Sequence, residues 1–137
     1  MVSPYPNLEA ITYQQLEGDI FEVKLLQTGK QPITEWLNLC ESLYQHTQDK
    51  SDWRFLLDCS HIGEPPPMQY MFAQLRHWTK NHHVSRLSIA ILYEDEDEER
   101  LRLINALLRT FNDVGRQAQL FSYKQREEAL TWLQQAH

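Results

Sequence analysis

Cysteine and long apolar runs are both scarce in this chain of 137 residues. The only cysteines, Cys40 and Cys59, have no partner at metal-ligand spacing and sit among apolar side chains. They read as two buried, reduced thiols rather than as a disulfide or half of a zinc site. No apolar run approaches the roughly 18 residues that a membrane-spanning helix needs, so no span is expected. The opening Met1-Val2-Ser3-Pro4-Tyr5-Pro6 lacks a charged start and an apolar stretch, so no signal peptide is expected and a cytoplasmic location is. No basic stretch offsets the formal charge of −6, which argues against nucleic acid as a partner, because phosphate contacts require clustered cations. Repeats, low-complexity tracts and long linkers are absent as well. One domain over residues 10–137, preceded by an extended arm over residues 1–9, is therefore expected.

What is present is a regular alternation of short apolar segments and helical stripes. Ile11, Tyr13 and Leu16 open a first strand, and Gly18-Asp19 supply a turn before a second strand over 20–27. There Phe21, Val23 and Leu25 alternate with Glu22 and Lys24, the period of a sheet with one wet face. After Gly29 and Pro32, a helical stripe runs through Ile33, Trp36, Leu37, Cys40, Leu43 and Tyr44, and the polar segment 45–52 ends it. The centre of Trp53–Cys59 is continuously apolar, as in a parallel strand covered on both faces. Pro65-Pro66-Pro67 lead into a second helix with Met68, Met71, Phe72, Leu75 and Trp78 inward. Leu87–Tyr93 form another buried strand. A third helix places Leu101, Ile104, Leu107, Leu108 and Phe111 inward and stops near Gly115. A strand over Gln119–Tyr123 and a helix over 125–135, with Ala129, Leu130 and Leu133 inward, close the chain. The order is ββαβαβαβα. It predicts an α/β domain with a mostly parallel sheet and an N-terminal antiparallel hairpin.

Four places in this order carry a resemblance to a known family. They are Gly29 with the stripe Ile33–Tyr44, the strand Phe55-Leu56-Leu57-Asp58 ending in an acid, Arg86 before Leu87-Ser88-Ile89-Ala90-Ile91-Leu92, and the tail Leu120-Phe121 before Glu128-Ala129-Leu130-Thr131-Trp132-Leu133. Together they resemble the STAS-like superfamily, and more closely its SpoIIAA-like branch, over almost the whole chain from about residue 10. The resemblance implies a non-enzymatic protein-interaction or regulatory module. Members of the family use a phosphorylated serine at the start of the helix after the third strand to control docking to a protein partner. Here that place holds Glu64-Pro65-Pro66-Pro67-Met68, so the familiar switch is missing, and Ser60 lies a few residues upstream.

In open parallel sheets ligands favour the crevice beyond the carboxyl ends of the strands. Those ends carry Asp58, Ser60 and His61, then Tyr93, Glu94 and Asp95, then Ser122 and Tyr123. Asp58, Ser60 and His61 hold the residue types of a hydrolytic triad, but neighbours on an extended segment point in different directions and no Gly-x-Ser-x-Gly elbow is present, so no catalytic residue is assigned. The acidic run Glu94–Glu99 suits the first turn of a helix better than a magnesium site. His77, His82 and His83 cluster at the end of a helix without a convergent ligand set, so no metal or cofactor is expected. The expected partner surface is residues 60–72 and the strand ends: Asp58, Ser60, His61, Met68, Tyr70, Tyr93 and Tyr123. A protein partner is the leading expectation. The alternative is a small apolar ligand or lipid in a pocket at the strand ends, and a homodimer through an edge strand of the hairpin fits either.

Overall fold

The computed structural model describes residues 8–47 and 51–135. Its strands β1 (Ile11–Leu16), β2 (Ile20–Leu25), β3 (Asp52–Asp58), β4 (Arg86–Leu92) and β5 (Arg116–Phe121) lie side by side in that order. Helices α1 (Gln31–His46), α2 (Met68–Lys80), α3 (Glu98–Phe111) and α4 (Arg126–Gln135) follow β2, β3, β4 and β5. β1 and β2 are antiparallel, and every later pairing is parallel. The expected ββαβαβαβα order and opening hairpin are those of the folded chain. Of the expected arm over 1–9, residues 1–7 lie outside the described residues.

Strand periodicity divides the apolar side chains between two faces. Val23, Phe55, Leu57, Ile89 and Ile91 point to one face and pack with Trp36, Met71, Phe72 and Ile104 of α1, α2 and α3. Ile20, Leu56, Ala90, Leu92 and Phe121 point to the other, under Ala129 and Leu133 of α4. Successive right-handed crossovers that step across the sheet in one direction place all their helices on one side. α4 follows the last strand and is free of that rule, so it covers the opposite face.

The second face was expected to be wet along β2. Glu22 is instead buried there, because Arg126 at the start of α4 forms an ion pair with its carboxylate and Gln14 Nε2 donates to it at 2.7 Å. A long-range partner that no local alternation reveals thus turns a wet position into a covered one. In α1 the covered stripe includes Leu39 and Glu35, while Leu37 and Tyr44 are only half-buried.

The end of the chain departs from expectation in its boundaries. β5 begins at Arg116, before the expected Gln119, and a 3₁₀ turn over Tyr123–Gln125 takes the place of its last residues. The turn before β5 is built from side chains. Asp113 Oδ1 accepts from the Gly115 and Arg116 amides at 2.9 Å, and Asn112 pairs with Ala118 through both its amide nitrogen (3.2 Å) and its oxygen (2.8 Å). α3 therefore ends at Phe111, and Gly115 lies in the turn rather than at the helix stop. A Cβ there would sit 3.1 Å from the Ser85 carbonyl oxygen, so any larger residue would have to push that backbone aside by a few tenths of an ångström.

Glu35 ties the start of the sheet to α1. Its Oε1 accepts the amides of Glu9 and Ala10, each at 2.8 Å, and Gln31 Nε2 donates to Oε2 at 3.0 Å. Burial pushes its carboxyl up, but these hydrogen bonds outweigh burial and hold it below the usual glutamate range. Glu35→Ala should cost about 1–3 kcal/mol near neutral pH by leaving two amides without their acceptor. A carboxyl lowered in the folded state stabilises above its unfolded value and loses that contribution as pH falls through the folded one. Urea denaturation at neutral pH and in strong acid should show the mutational penalty shrinking in acid; an equal penalty at both would refute the assignment.

Candidate functional site

Three chain exits are aligned at the carboxyl edge of the sheet. The parallel ladder runs one residue past the strands, with the Cys59 amide donating to the Leu92 carbonyl and the Tyr93 amide to the Phe121 carbonyl, both at 2.9 Å. The loops after β3, β4 and β5 consequently leave at one level and enclose a cleft of about 470 Å³. Ser60 and Gly63 form one wall, Tyr93 to Glu96 the second, and Tyr123 with Lys124 the third.

The first wall is fixed by Asp58, which is only 7% exposed. Its Oδ1 accepts from the Ser60 amide at 2.9 Å and from Ser60 Oγ at 2.6 Å. His61 is exposed, with Nε2 3.9 Å from Asp58 Oδ2. The serine hydroxyl thus donates to the aspartate, while the histidine stands beside the aspartate's other oxygen. This geometry makes a turn brace: an Asx-type cap that holds the loop as it leaves the sheet. Cys59 lies behind this wall, and burial first, then the Asp58 carboxylate, push its thiol well above the ordinary range.

The second wall shows how the acidic run is used. Asp97 caps α3, its Oδ1 accepting from the Glu99 and Arg100 amides at 3.0 and 3.3 Å, and Glu98 and Glu99 fill the first turn. Asp95 accepts from the Asp97 amide at 2.9 Å, from Arg100 Nη1 at 3.0 Å and from the Tyr93 hydroxyl at 3.3 Å. The Asp97 amide foremost, with the Arg100 guanidinium and Tyr93, holds the Asp95 carboxyl below its usual range. Burial pushes the Tyr93 phenol up; the Arg100 hydrogen bond opposes that shift, and the Asp95 charge adds to it. Glu94 and Glu96 remain exposed at the rim, where Ser122 Oγ donates to Glu94 at 3.3 Å.

The third wall is Tyr123, 46% exposed, with Lys124 Nζ 5.8 Å from its ring centroid. Ser122 caps the 3₁₀ turn below them through a reciprocal pair with Gln125.

The structure brings Asp58, Ser60, Tyr93 and Tyr123 together at this edge. Met68 differs: it is 4% exposed and belongs to the core under α2, so it supports the loop from beneath and does not form surface. Its place on the inward stripe of α2 prevails over its place on the expected partner surface, because Met68 packs in the same core as Met71, Phe72 and Leu75. Tyr70, on the first turn of α2, is half-buried and packs against the core, with Lys30 Nζ 4.8 Å above its ring. Lys30, Lys124 and Arg100 were not anticipated: Lys30 meets Tyr70 only through folding, whereas Lys124 and Arg100 act on near neighbours, Tyr123 and Asp95, in turns whose geometry no residue spacing shows.

The histidines at the end of α2 serve packing. His82 stacks on Trp78 at 4.4 Å, places Nδ1 2.7 Å from the Trp78 carbonyl oxygen, and pairs with Glu41 of α1 through Nε2. His77 meets Asn81, and the His83 amide donates to Tyr44 Oη at 3.0 Å. Among the described residues no group of three or more His, Cys, Asp or Glu converges to hold a metal ion.

Comparison with family models, curated proteins and solved structures finds no match to this chain.

Replacing Asp58 by Ala should release the Ser60 amide and hydroxyl together and cost about 1–3 kcal/mol, whereas Asp58→Asn, which retains an acceptor oxygen, should cost less. Chemical denaturation together with amide exchange at Ser60 checks this; equal losses for the two variants, or unchanged exchange at Ser60, would show that Asp58 does not brace the loop.

Proposed function

We propose that this protein is a non-enzymatic interaction or regulatory module of the STAS-like, SpoIIAA-like kind that meets a protein partner in the cytoplasm through its carboxyl-edge face. Support comes from the ββαβαβαβα order and from the tail motif, in which Ala129 is fully buried against the sheet and Trp132 packs on Phe121 at 5.9 Å. The observation that carries the reading is the state of the polar groups at this edge. Ser60 Oγ is engaged by Asp58 and Tyr93 by Asp95, while His61 and Tyr123 offer side chains outward from braced segments and Tyr70, on the first turn of α2, shows one part of its half-buried ring. Braced loops that present aromatic and ionic groups lose little conformational freedom on binding, which favours recognition. The face takes His61, Tyr70 and Tyr123 as its contact groups. Without a serine at the start of α2, any control by charge would act elsewhere than in the family's familiar position. A homodimer through β1, the outer strand of the hairpin, is compatible with this reading.

The cleft itself favours a second reading, a small ligand held between Ser60, Tyr93 and Tyr123. Glu94, Asp95 and Lys124 border it, so the occupant would be polar rather than the apolar molecule or lipid expected from the strand ends alone.

Tagged protein purified from its source at native expression should retain a defined partner, and His61→Ala, Tyr70→Ala and Tyr123→Ala should each weaken that complex by about tenfold, roughly 1.4 kcal/mol, without altering the circular dichroism. If all three variants keep every complex intact, the face is wrong. Native mass spectrometry of the same preparations separates the readings. A reproducible small-molecule adduct that Ser60→Trp abolishes selects the second reading, and a protein adduct lost in the alanine variants selects the first.

A further inference from the structure

Among the four helices, α2 and α3 carry nearly all the lysines and arginines: Arg76, Lys80, Arg100, Arg102 and Arg109, against Arg126 alone on α4. α2, Met68–Lys80, contains no acidic residue, and α3 contains none after its first turn. Arg76 and Lys80 on α2, and Arg102 and Arg109 on α3, make no ion pair among the described residues; Lys24, Lys30, Arg86 and Lys124 make none either, but they are scattered over separate strands and loops rather than gathered on adjacent helices. Arg76 and Lys80 are one helical turn apart and share a side of α2. Lys80 borders the hollow that opens onto residues 113–116, which connect α3 to β5, so this side faces α3. Arg109 lines the groove between α3 and β5, together with Asn105 and Gln119. Between these two basic flanks, the crest of α3 carries Leu103, Ala106 and Thr110 at i, i+3 and i+7, all exposed. Leu103 is 67% exposed, although α3 already buries Ile104, Leu108 and Phe111 beneath it. The outer side of α3 thus presents one large apolar side chain, Leu103, with the small Ala106 on the same line, and has no partner within the fold.

We infer that the α2–α3 layer is a second docking surface, for an acidic amphipathic helix of a partner protein that lays an apolar stripe along the Leu103 crest and places carboxylates against the flanking arginines and lysine. Charge complementarity selects the occupant. A neutral helix would leave four cations partly desolvated without partners, and a basic one would be repelled. The mode is helix-on-groove recognition, with apolar anchors at helical spacing and ionic flanks that fix orientation. This surface is separate from the carboxyl edge and stands or falls independently of what binds there.

The test uses a synthetic helical peptide with a leucine stripe flanked by glutamates, followed by fluorescence anisotropy with the full chain. Leu103→Glu and the pair Arg76→Glu/Arg109→Glu should each weaken binding by at least about tenfold, while Lys24→Glu, a larger charge change than Leu103→Glu but placed in β2, should alter it by less than about twofold. Binding should also weaken as salt rises. Amide shifts in a nitrogen-15 titration should fall on α2 and α3. The inference is overturned if the peptide does not bind at millimolar concentration, if Lys24→Glu is as damaging as the α2–α3 changes, or if the shifts lie elsewhere. Preferential binding to phosphatidylserine vesicles over the peptide would overturn it too, by assigning the surface to a membrane.

Discussion

Parallel pairing of β3 with β4, which sets Phe55 beside Ile89 and Leu57 beside Ile91, builds a central ribbon whose side chains are apolar on both faces. Each large side chain buried there contributes about 1.5–3 kcal/mol, so neither face can be left to water. One face takes α1, α2 and α3 because the right-handed crossovers deliver them to it, and the other is left for α4. Trp36 edge-on to Phe55 at 5.3 Å and Phe72 stacked on Phe111 at 4.7 Å show how the three-helix face is filled. Parallel strands also end at one edge. The same pairing that buries the ribbon thus collects Asp58, Tyr93 and Ser122 into a single neighbourhood.

That neighbourhood is held by acids bonded to backbone. Asp58 braces the first loop, Asp95 and Asp97 the second, and Ser122 caps the third. A dense acidic run such as 94–99 has the composition of a cation site, yet two of its members spend their oxygens on amides and two more fill the first turn of α3. What is left facing outward is Glu94, Glu96, Tyr123, Lys124 and His61, a mixed polar and aromatic rim on a stiff base.

The outer elements of the fold are treated unequally. At β5 the backbone groups of Arg116 and Ala118 are engaged by Asp113 and Asn112, so half of that strand's edge is closed by side chains and by the turn itself. Closure of this kind guards against unwanted strand pairing. α3, directly beside it, has the opposite character: an apolar crest between unpaired cations. The molecule thus closes one edge to strands while leaving the neighbouring helix dressed for a partner.

Strand and helix order, the hairpin, and the double-sided burial of β3 and β4 could be read from residue spacing, because period two, period 3.6 and uninterrupted apolar runs are local consequences of backbone geometry. So could Asp58, Ser60, Tyr93 and Tyr123 as strand-end residues, since parallel topology dictates which ends meet. Tertiary structure decided whatever depends on a distant partner. Glu22 is buried because Arg126 of α4 reaches it, and Glu35 because it receives the amides of Glu9 and Ala10. Arg76, Lys80, Arg102 and Arg109 make no ion pair among the described residues, whereas Arg100 on the same layer is met by Asp95. Charge pairing acts through space and leaves no period along the chain, whereas apolar burial repeats with the backbone and does.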